Sequence, residues 1–279
     1  MKSVNKSLPR ISIVTPSFNQ AAYLEKCIKS VLAQNYPNLE YIVMDGGSTD
    51  GSVEIIRRYE SNITYWQSQP DGGQAAAIGE GFQRSTGRLL SWINSDDFLC
   101  KGALFRVAEA YQEHPSSGLF FGNSFWVDHV GNLKYPLIPS SMSYEDWIYQ
   151  TYSVFQGSVF FSHDTYLKVG GININLLYAM EYDLFFKIAK IFPTTYIPHF
   201  LACFRDQPKS KTNNISFTGE QEFRKVVLEI ENLDTQKLRY RALVSLRRSR
   251  RRLFRFISFI DFIKLKASQK EFSDLIRFD

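Results

Sequence analysis

The chain has 279 residues, of which 44% are hydrophobic and 22% are charged, so it can bury a full core and is not expected to be disordered. Its three cysteines are too few and too scattered for a disulfide framework or a cysteine-based zinc site, which favours a reducing, cytoplasmic compartment. We expect neither a signal peptide nor a membrane-spanning helix, because no apolar run approaches about 20 residues.

The net charge of +5 is unevenly distributed along the chain. Residues 237–266 contain eleven lysines or arginines and one acid, a local charge of +10, so the remainder carries −5. A confined basic block favours contact with an anionic surface, whereas the mildly acidic body does not suggest nucleic-acid binding.

The first half of the chain alternates between strand and helix patterns. Apolar runs at residues 11–15, 39–44, 63–66 and 89–93 predict four strands. Between them, residues 24–31, 53–59 and 74–86 carry apolar side chains at helical spacing. This alternation predicts right-handed crossovers and a mainly parallel α/β sheet flanked by helices.

The second half is less regular and richer in aromatic residues. It predicts a helix over 102–112, an apolar run at 119–121, a hairpin formed by 125–127 and 133–135, a strand at 158–161 and a helix over 182–190. The aromatic side chains near residues 144–155 either pack in the core, which we favour, or form a platform for a substrate.

Acidic residues follow two of the predicted strands directly. Asp45 ends the strand at 39–44, and Asp96 and Asp97 follow the strand at 89–93. Parallel strands deliver such groups to one crevice at the carboxyl edge of the sheet. Carboxylates there suit Mg²⁺ or Mn²⁺, whose coordination shell is usually completed by substrate phosphates, so these acids point to a nucleotide diphosphate ligand.

Several segments in consistent order resemble family 2 glycosyltransferases of the GT-A fold. The resemblance spans about residues 11–212, and no single motif would suffice to establish it. The segments are TPSFN at 15–19, SVLAQNYP at 30–37, VMDGGSTDGS at 43–52, DGGQ at 71–74, GEGF at 79–82, STG at 85–87, WINSDD at 92–97, Gly170-Gly171 and MEYDL at 180–184.

The resemblance implies inverting transfer of a sugar, of the hexose class, from a nucleotide diphosphate donor, with UDP preferred, to a hydroxyl of a glycan or lipid-linked acceptor. It implies a role in cell-surface polysaccharide or glycolipid biosynthesis. It also implies a metal, Mn²⁺ or Mg²⁺, held by Asp96 and Asp97. The residues expected to bind the donor are Thr15, Pro16, Ser17, Phe18, Asn19, Asp45, Gly46, Asp50, Gln74, Asn94, Ser95 and Asp96.

Three of these positions have alternatives or depart from the family pattern. Asn19 and Asp50 could instead cap helices. The usual motif has an acid where this chain has Asn94, which leaves open how many carboxylates bind the metal. Gln207 stands where relatives often have histidine, and the neighbouring Arg205, Lys209 and Lys211 form either a phosphate-binding or a solvated basic loop.

Two acids compete for the role of general base, which must accept the proton of the acceptor hydroxyl. Glu181 and Asp183 would point about 200° apart on a helix, so they cannot both face the cleft. Lys187 follows Asp183 by four residues, which is the spacing of an ordinary ion pair. We therefore expect Glu181 to be the base and keep Asp183 as the competing catalytic candidate.

The C-terminal part is predicted to form a helical, basic extension from 216 to 279 after a catalytic domain at 1–215. Between Arg247 and Ile263, six arginines precede and interleave with an apolar stripe. We expect peripheral contact with the inner face of the cell membrane. The competing interpretation of this region is that it packs on the catalytic domain. For the whole chain, the alternatives to a transferase are a non-catalytic nucleotide-binding scaffold and a sugar-phosphate nucleotidyltransferase.

Overall fold

The computed structural model describes residues 7–149, 154–208, 217–231, 245 and 269–278. Within that part of the chain, nine strands form one sheet with helices on both faces. The strands are β1 Ile11–Ser17, β2 Leu39–Asp45, β3 Tyr65–Ser68, β4 Leu89–Trp92, β5 Phe98–Leu99, β6 Leu119–Val127, β7 Leu133–Leu137, β8 Val159–Ser162 and β9 Thr194–Arg205. The helices are α1 Ala21–Leu32, α2 Ser52–Arg58, α3 Gln74–Arg84, α4 Ala103–Glu113, α5 Tyr144–Ile148, α6 His163–Lys168, α7 Met180–Ile191, α8 Phe217–Glu231 and α9 Gln269–Ile276.

The sheet has the order β3-β2-β1-β4-β8-β6-β9-β5, with β7 pairing β6 as a hairpin. The strands from β3 to β4 are all parallel, as the sequence predicts. In the second half, β8 is antiparallel to both neighbours, and among the described strands there the one parallel pair is β6 with β9. The α/β class is therefore confirmed, but the mainly parallel pairing holds for the first half alone.

Alternate residues along the strands enter two cores, because successive side chains in a strand point to opposite faces of the sheet. Val14 and Ile42 pack with α3, α5, α7 and α8, whereas Ile13 and Val43 pack with α1, α2 and α4. The helices on the first face are those that carry the site described below.

One glycine sets how closely α3 approaches the sheet. A Cβ atom added to Gly81 would lie 2.6 Å from Cγ1 of Val14 on β1. Such a contact is closer than packed carbon atoms allow, so the helix that begins at Gln74 can lie this deep only with glycine at position 81.

Strand β9 is the largest element that the sequence analysis misses. Pro198 and His199 interrupt its apolar pattern, and the pairing with β6 shifts at that point, from Gly122 opposite Ile197 to Asn123 opposite Phe200. The bulge lets a proline, which has no N–H to donate, sit inside a long strand.

Helix α8 packs on α7 rather than standing away from the body. Val226 and Val227 are buried, and Phe223 contacts the rings of Tyr182 and Phe186. The first helix of the predicted extension thus belongs to the core of the preceding domain.

A carboxylate on α8 caps the start of α7. Glu222 accepts hydrogen bonds from three successive backbone N–H groups, those of Leu177, Tyr178 and Ala179, at 2.8 to 3.1 Å. These groups belong to Ala179, the N-cap residue of α7, and to the two residues before it. The cap therefore fixes the segment from which α7 begins.

The end of the chain also lies on the body. Phe272 and Phe278 of the α9 segment contact Phe125 and Phe98, and the N–H of Lys101 donates to the carbonyl of Leu275 at 2.8 Å. The predicted membrane-binding region from Arg247 to Ile263 lies outside the described residues. In the part of the chain that the structure describes, no helix has the length and apolar character needed to cross a bilayer.

We predict that Glu222→Gln destabilises the protein by about 1–3 kcal/mol, because the amide offers one neutral oxygen where a charged carboxylate now accepts from three donors. Thermal denaturation should show a Tm lower by about 2–4 °C per kcal/mol. Glu220→Gln is the control, since Glu220 is exposed and forms a surface ion pair with Arg224 on the same helix. Equal shifts for both variants would contradict the capping role.

Candidate active site

A cavity of about 1060 Å³ opens at the carboxyl ends of β1, β2 and β4. This is the point where the strand order reverses, since β1 lies between β2 and β4, and such points are the usual ligand sites of open α/β sheets. Loops after these strands line one half of the cavity, and aromatic side chains from β6, α5, α7 and β9 line the other.

Two loops of the first half are joined by hydrogen bonds. Asn19 donates through its backbone N–H to Oγ of Ser48 at 2.8 Å, and its side-chain oxygen accepts from the N–H of Thr49 at 2.9 Å. Asn19 has a φ of 51°, in the left-handed region that asparagine tolerates better than most residues. The loop after β1 is thus held against the loop after β2.

Asp50 strengthens the same connection. Its carboxylate accepts from the N–H of Ala21, the first residue of α1, and from both N–H and Oγ of Ser52. Burial alone would raise the pKa of Asp50, but these hydrogen bonds outweigh burial and lower the pKa. The structure places Asp50 as a cap of α1 and not on the cavity wall.

Asp45 orders the loop that follows it. Its two oxygens accept from the N–H of Gly47, from N–H and Oγ of Ser48, and from Oγ of Ser68. The side chain is 1% exposed, whereas Gly46 and Gly47 line the cavity. Asp45 therefore shapes the cavity wall by ordering its loop. The sequence analysis expects its carboxylate to contact the donor, but the structure buries that carboxylate behind the loop.

Most of the predicted donor-binding residues do meet at the cavity. Thr15 does not, because it is buried beneath the loop with its hydroxyl 3.1 Å from that of Tyr41. Phe18 is 61% exposed at the mouth. The predicted residues that line the cavity are Pro16, Ser17, Phe18, Gly46, Gln74, Asn94, Ser95 and Asp96, and those that do not are Thr15, Asn19, Asp45 and Asp50.

The segment after β4 presents an ordered row of polar groups. Nε2 of Gln74, at the start of α3, donates to Oδ1 of Asn94 at 2.8 Å, and Nδ2 of Asn94 lies 3.3 Å from Asp97. Nε2 of Gln207 donates to Asp96 at 3.2 Å, so the residue that stands in place of the family's histidine still contacts the acidic motif. Burial raises the pKa of Asp96, against the opposing effect of Gln207.

The two neighbouring acids have different surroundings. Asp96 lines the cavity, whereas Asp97 is 2% exposed and accepts the backbone N–H of Arg205 at 2.8 Å. Burial, together with the adjacent charge of Asp96, raises the pKa of Asp97 well above its ordinary range. Asp97 thus connects the acidic motif to β9. The sequence analysis predicts it as the second metal ligand, but it does not line the cavity.

Arg205 is likewise committed to the protein. It is 3% exposed, its Nε donates to the carbonyl of Asp96 at 2.8 Å, and Nη1 donates to the carbonyl of His129 at 2.9 Å. Lys209 and Lys211 lie outside the described residues. Among the described residues that line the cavity there is no lysine or arginine, and the charged ones are Asp71, Asp96 and Glu181.

The chemistry of this wall fits a divalent cation bound together with a phosphate ligand. Asp96 offers a carboxylate, and a wall with acids and no described basic residue cannot itself neutralise a diphosphate. In the described part of the chain, no cluster of three or more His, Cys, Asp or Glu side chains could hold a metal by itself. Mg²⁺ and Mn²⁺ are commonly bound by one or two carboxylates plus substrate phosphates.

The two candidate bases lie on different faces of helix α7. Glu181 lines the cavity, whereas Asp183 is 1% exposed and pairs with Nζ of Lys187 at 2.7 Å. The opposite orientations predicted from helical geometry and the predicted ion pair are both present. Asp183 is therefore not in a position to meet an acceptor.

The aromatic half of the cavity is only partly anticipated by the sequence. Trp147 and Phe155 are buried, as the core interpretation expects, yet both also line the cavity. Trp126 and Phe204 lie side by side on β6 and β9 and are not recognised as site residues from the sequence. Their recognition requires the long-range pairing of β6 with β9, for which the sequence carries no local signal.

Comparison with known proteins places this chain among glycosyltransferases. Residues 12–165 match the model of glycosyl transferase family 2. The chain is 31% identical over 188 residues to an uncharacterized glycosyltransferase of Mycobacterium tuberculosis, covering 66% of this chain and 71% of the relative. It is 32% identical over 149 residues to TuaG of Bacillus subtilis, named for teichuronic acid biosynthesis, covering 51% of this chain and 58% of TuaG.

Solved structures share the fold at low sequence identity. TarS of S. aureus in complex with UDP-GlcNAc matches with a TM-score of 0.66 and 15% identity, over 79% of this chain and 65% of that chain. The mannosyltransferase PcManGT of Pyrobaculum calidifontis, in complex with GDP-Man and Mn²⁺, matches with a TM-score of 0.55 and 15% identity, over 86% and 80%. From the family match and the GT-A-type fold together, the chain belongs to glycosyltransferase family 2.

Proposed function

We propose that this chain transfers a sugar from a nucleotide diphosphate donor, with UDP preferred, to an acceptor hydroxyl with inversion at the anomeric carbon. The observation that carries the proposal is the presence of Asp96 and Glu181 on the two halves of one cavity. Transfer by single displacement needs one group that helps to stabilise negative charge on the leaving diphosphate and another that accepts the proton of the acceptor hydroxyl.

The first half of the cavity suits the donor. The loops after β1 and β2 form an ordered rim, and Gly73 and Gln74 at the start of the eleven-residue helix α3 line its floor. A helix N-terminus supplies N–H groups and a partial positive charge, both of which favour phosphate. Support also comes from UDP-GlcNAc in the TarS complex.

Asp96 would hold the divalent cation, with the amide of Gln207 beside it. When bound, such a cation stabilises negative charge on the diphosphate as it leaves. The Mn²⁺ of the PcManGT complex is consistent with this assignment.

Glu181 is proposed as the general base. Its carboxylate, in the first turn of α7, would accept the proton of the acceptor hydroxyl while that oxygen attacks the anomeric carbon and the bond to the diphosphate oxygen breaks. The helix N-terminus favours the charged form that a base requires. Glu222 orders the segment just before this residue and so helps to fix its position.

We predict that Asp96→Asn removes metal-dependent nucleotide binding. Wild-type protein with Mn²⁺ and UDP at about 100 times Kd should gain about 2.7 kcal/mol of stability, which thermal-shift measurements register as roughly 5–10 °C. Asp164→Asn is the matched control, because Asp164 lies on the surface and pairs with Arg88. Persistence of the full manganese-dependent shift in the Asp96 variant would disprove the metal assignment.

We predict that Glu181→Gln lowers transfer by about 10²–10⁴-fold, the usual contribution of a general base, while UDP affinity changes only a few fold. Initial rates and the UDP thermal shift measure the two effects separately. Asp183→Asn is the control: it should destabilise the fold through the loss of its pair with Lys187 but retain transfer in the folded fraction.

Unchanged turnover in the Glu181 variant would remove this residue from the mechanism. Absence of metal-dependent donor hydrolysis by the wild-type protein would favour the non-catalytic scaffold alternative.

We further propose that the acceptor is a glycan or lipid-linked glycan of a cell-surface polysaccharide, and that the chain acts at the inner face of the membrane. TuaG supports the polysaccharide assignment through its name. The six arginines between 247 and 255 support membrane contact, since each basic residue near an anionic bilayer contributes about 1 kcal/mol.

For this membrane contact we predict that the full-length chain co-sediments with vesicles containing anionic phospholipid and not with neutral vesicles. Replacement of Arg247, Arg248, Arg250, Arg251, Arg252 and Arg255 by glutamine should abolish the difference. The control replaces the exposed Arg57 and Arg58 in α2. Equal co-sedimentation of wild type and the six-residue variant would rule the contact out.

A further inference from the structure

Exposed apolar side chains are grouped around the mouth of the cavity. Among the described residues, eleven large apolar side chains are exposed, and six of them lie on segments that contribute to the cavity lining. Single exposed apolar side chains need no explanation, whereas a group of them around one opening indicates a surface for interaction. The six are Phe18, Tyr135, Ile138, Ile174, Leu177 and Phe217.

Four of these side chains lie on the side of the cavity formed by β7 and by the starts of α7 and α8. Leu177 lines the cavity and is 55% exposed, so it lies at the opening, and Ile174 is three residues before it. Phe217 is two residues from another lining residue, and Ile138 directly follows a third. We refer to Ile138, Ile174, Leu177 and Phe217 as the apolar rim.

The segments that carry three of these four residues contain no charge. The runs at 135–144 and 169–180 include no Asp, Glu, Lys, Arg or His, although 22% of the chain is charged. The donor side of the mouth differs, because Asp71 lines it. The apolar rim can therefore leave water without desolvation of a charge, which is the costly part of entering a less polar environment.

A lipid surface fits the apolar rim better than a protein does. A protein seated on several segments around the opening would close the cavity to substrates, whereas a bilayer is where a lipid-linked acceptor arrives. Charge complementarity also favours lipid, since residues 237–266 carry +10 and an anionic bilayer attracts such a segment. Apolar side chains that enter the interface then strengthen binding in proportion to the area they bury.

We propose that the apolar rim enters the interfacial region of an anionic bilayer, so that the cavity opens towards the membrane. The inference rests on the membrane contact proposed above, which leaves open which face of the protein meets the lipid. It adds a second contact surface and the orientation of the site. A sugar carried by a membrane lipid would pass Leu177 and meet Glu181 without leaving the membrane surface.

The test places a fluorophore on the apolar rim. The native cysteines Cys27, Cys100 and Cys203 are all buried, so a thiol-reactive, environment-sensitive fluorophore labels an introduced cysteine selectively in the folded protein. Leu177→Cys and Phe217→Cys supply the two labelling positions in the full chain. When vesicles containing anionic phospholipid are added, emission from both positions should increase and shift to shorter wavelength.

The matched control is Leu167→Cys. Leu167 is 64% exposed, lies on α6 and does not line the cavity. Its fluorophore should stay in water and its emission should not change. An equal shift at this position would show adsorption without a preferred face and would overturn the proposed orientation.

A second measurement asks whether the apolar rim contributes to affinity. Leu177→Ser combined with Phe217→Ser should weaken vesicle binding by roughly tenfold, because two apolar side chains no longer enter the interface. The control combines Leu167→Ser with Ile191→Ser, whose side chains are 64% and 63% exposed on α6 and at the far end of α7. This control should bind vesicles like wild type, and an equal loss in both pairs would contradict the assignment.

The outcomes separate this inference from the proposals on which it rests. Vesicle binding that depends on the six arginines but leaves both rim fluorophores in water would overturn the apolar rim and retain the arginine contact. Emission changes that follow protein concentration without vesicles would assign the rim to a second copy of the chain and also overturn the inference. Absence of vesicle binding by wild type would overturn both membrane proposals, whereas the response to UDP and Mn²⁺ tests the transferase assignment independently.

Discussion

The hydrogen bond between the buried carboxylate of Asp97 and the backbone N–H of Arg205 joins the two halves of the molecule. Asp97 follows the last strand of the parallel half, and Arg205 ends β9 in the mixed half. The Arg205 side chain donates to the carbonyl of Asp96 as well, so Arg205 makes two hydrogen bonds to this segment. Removing one partner would leave a buried polar group unpaired, which is costly.

This connection also explains why two consecutive acids behave differently. Asp97 is occupied with holding β9, and that leaves Asp96 on the cavity wall with a fixed backbone. A site built in this way has one presented carboxylate of well-defined position. The remaining ligands of a cation must then come from water or from the phosphates of a bound nucleotide.

Much of the first half could be predicted from sequence because its signals are local. The end of β2 at Asp45, the acidic segment after β4 and the helix start at Gln74 all depend on residues close together in the chain. The ion pair of Asp183 with Lys187 in the second half is local in the same way. The GT-A class followed from several such motifs in order. Periodicity sufficed there because each parallel strand is followed by a helix of its own.

The features that were missed depend on contacts between distant segments. Asp45 lies at the end of a strand, where ligand-binding acids are expected, yet its carboxylate accepts hydrogen bonds from Ser48 and Ser68 instead. Trp126 becomes a wall residue only through the pairing of β6 with β9, and β9 itself is concealed by Pro198. The cap provided by Glu222 joins residues more than forty positions apart, a separation at which no spacing rule operates.

The seating of α9 has a practical consequence for anyone preparing this protein. Phe272 and Phe278 contact Phe125 and Phe98, and with these contacts in place both rings of the sheet are buried. Removal of residues 268–279 would expose an apolar surface around Phe98 and Phe125 and favour aggregation. An affinity handle is therefore better fused at the opposite terminus.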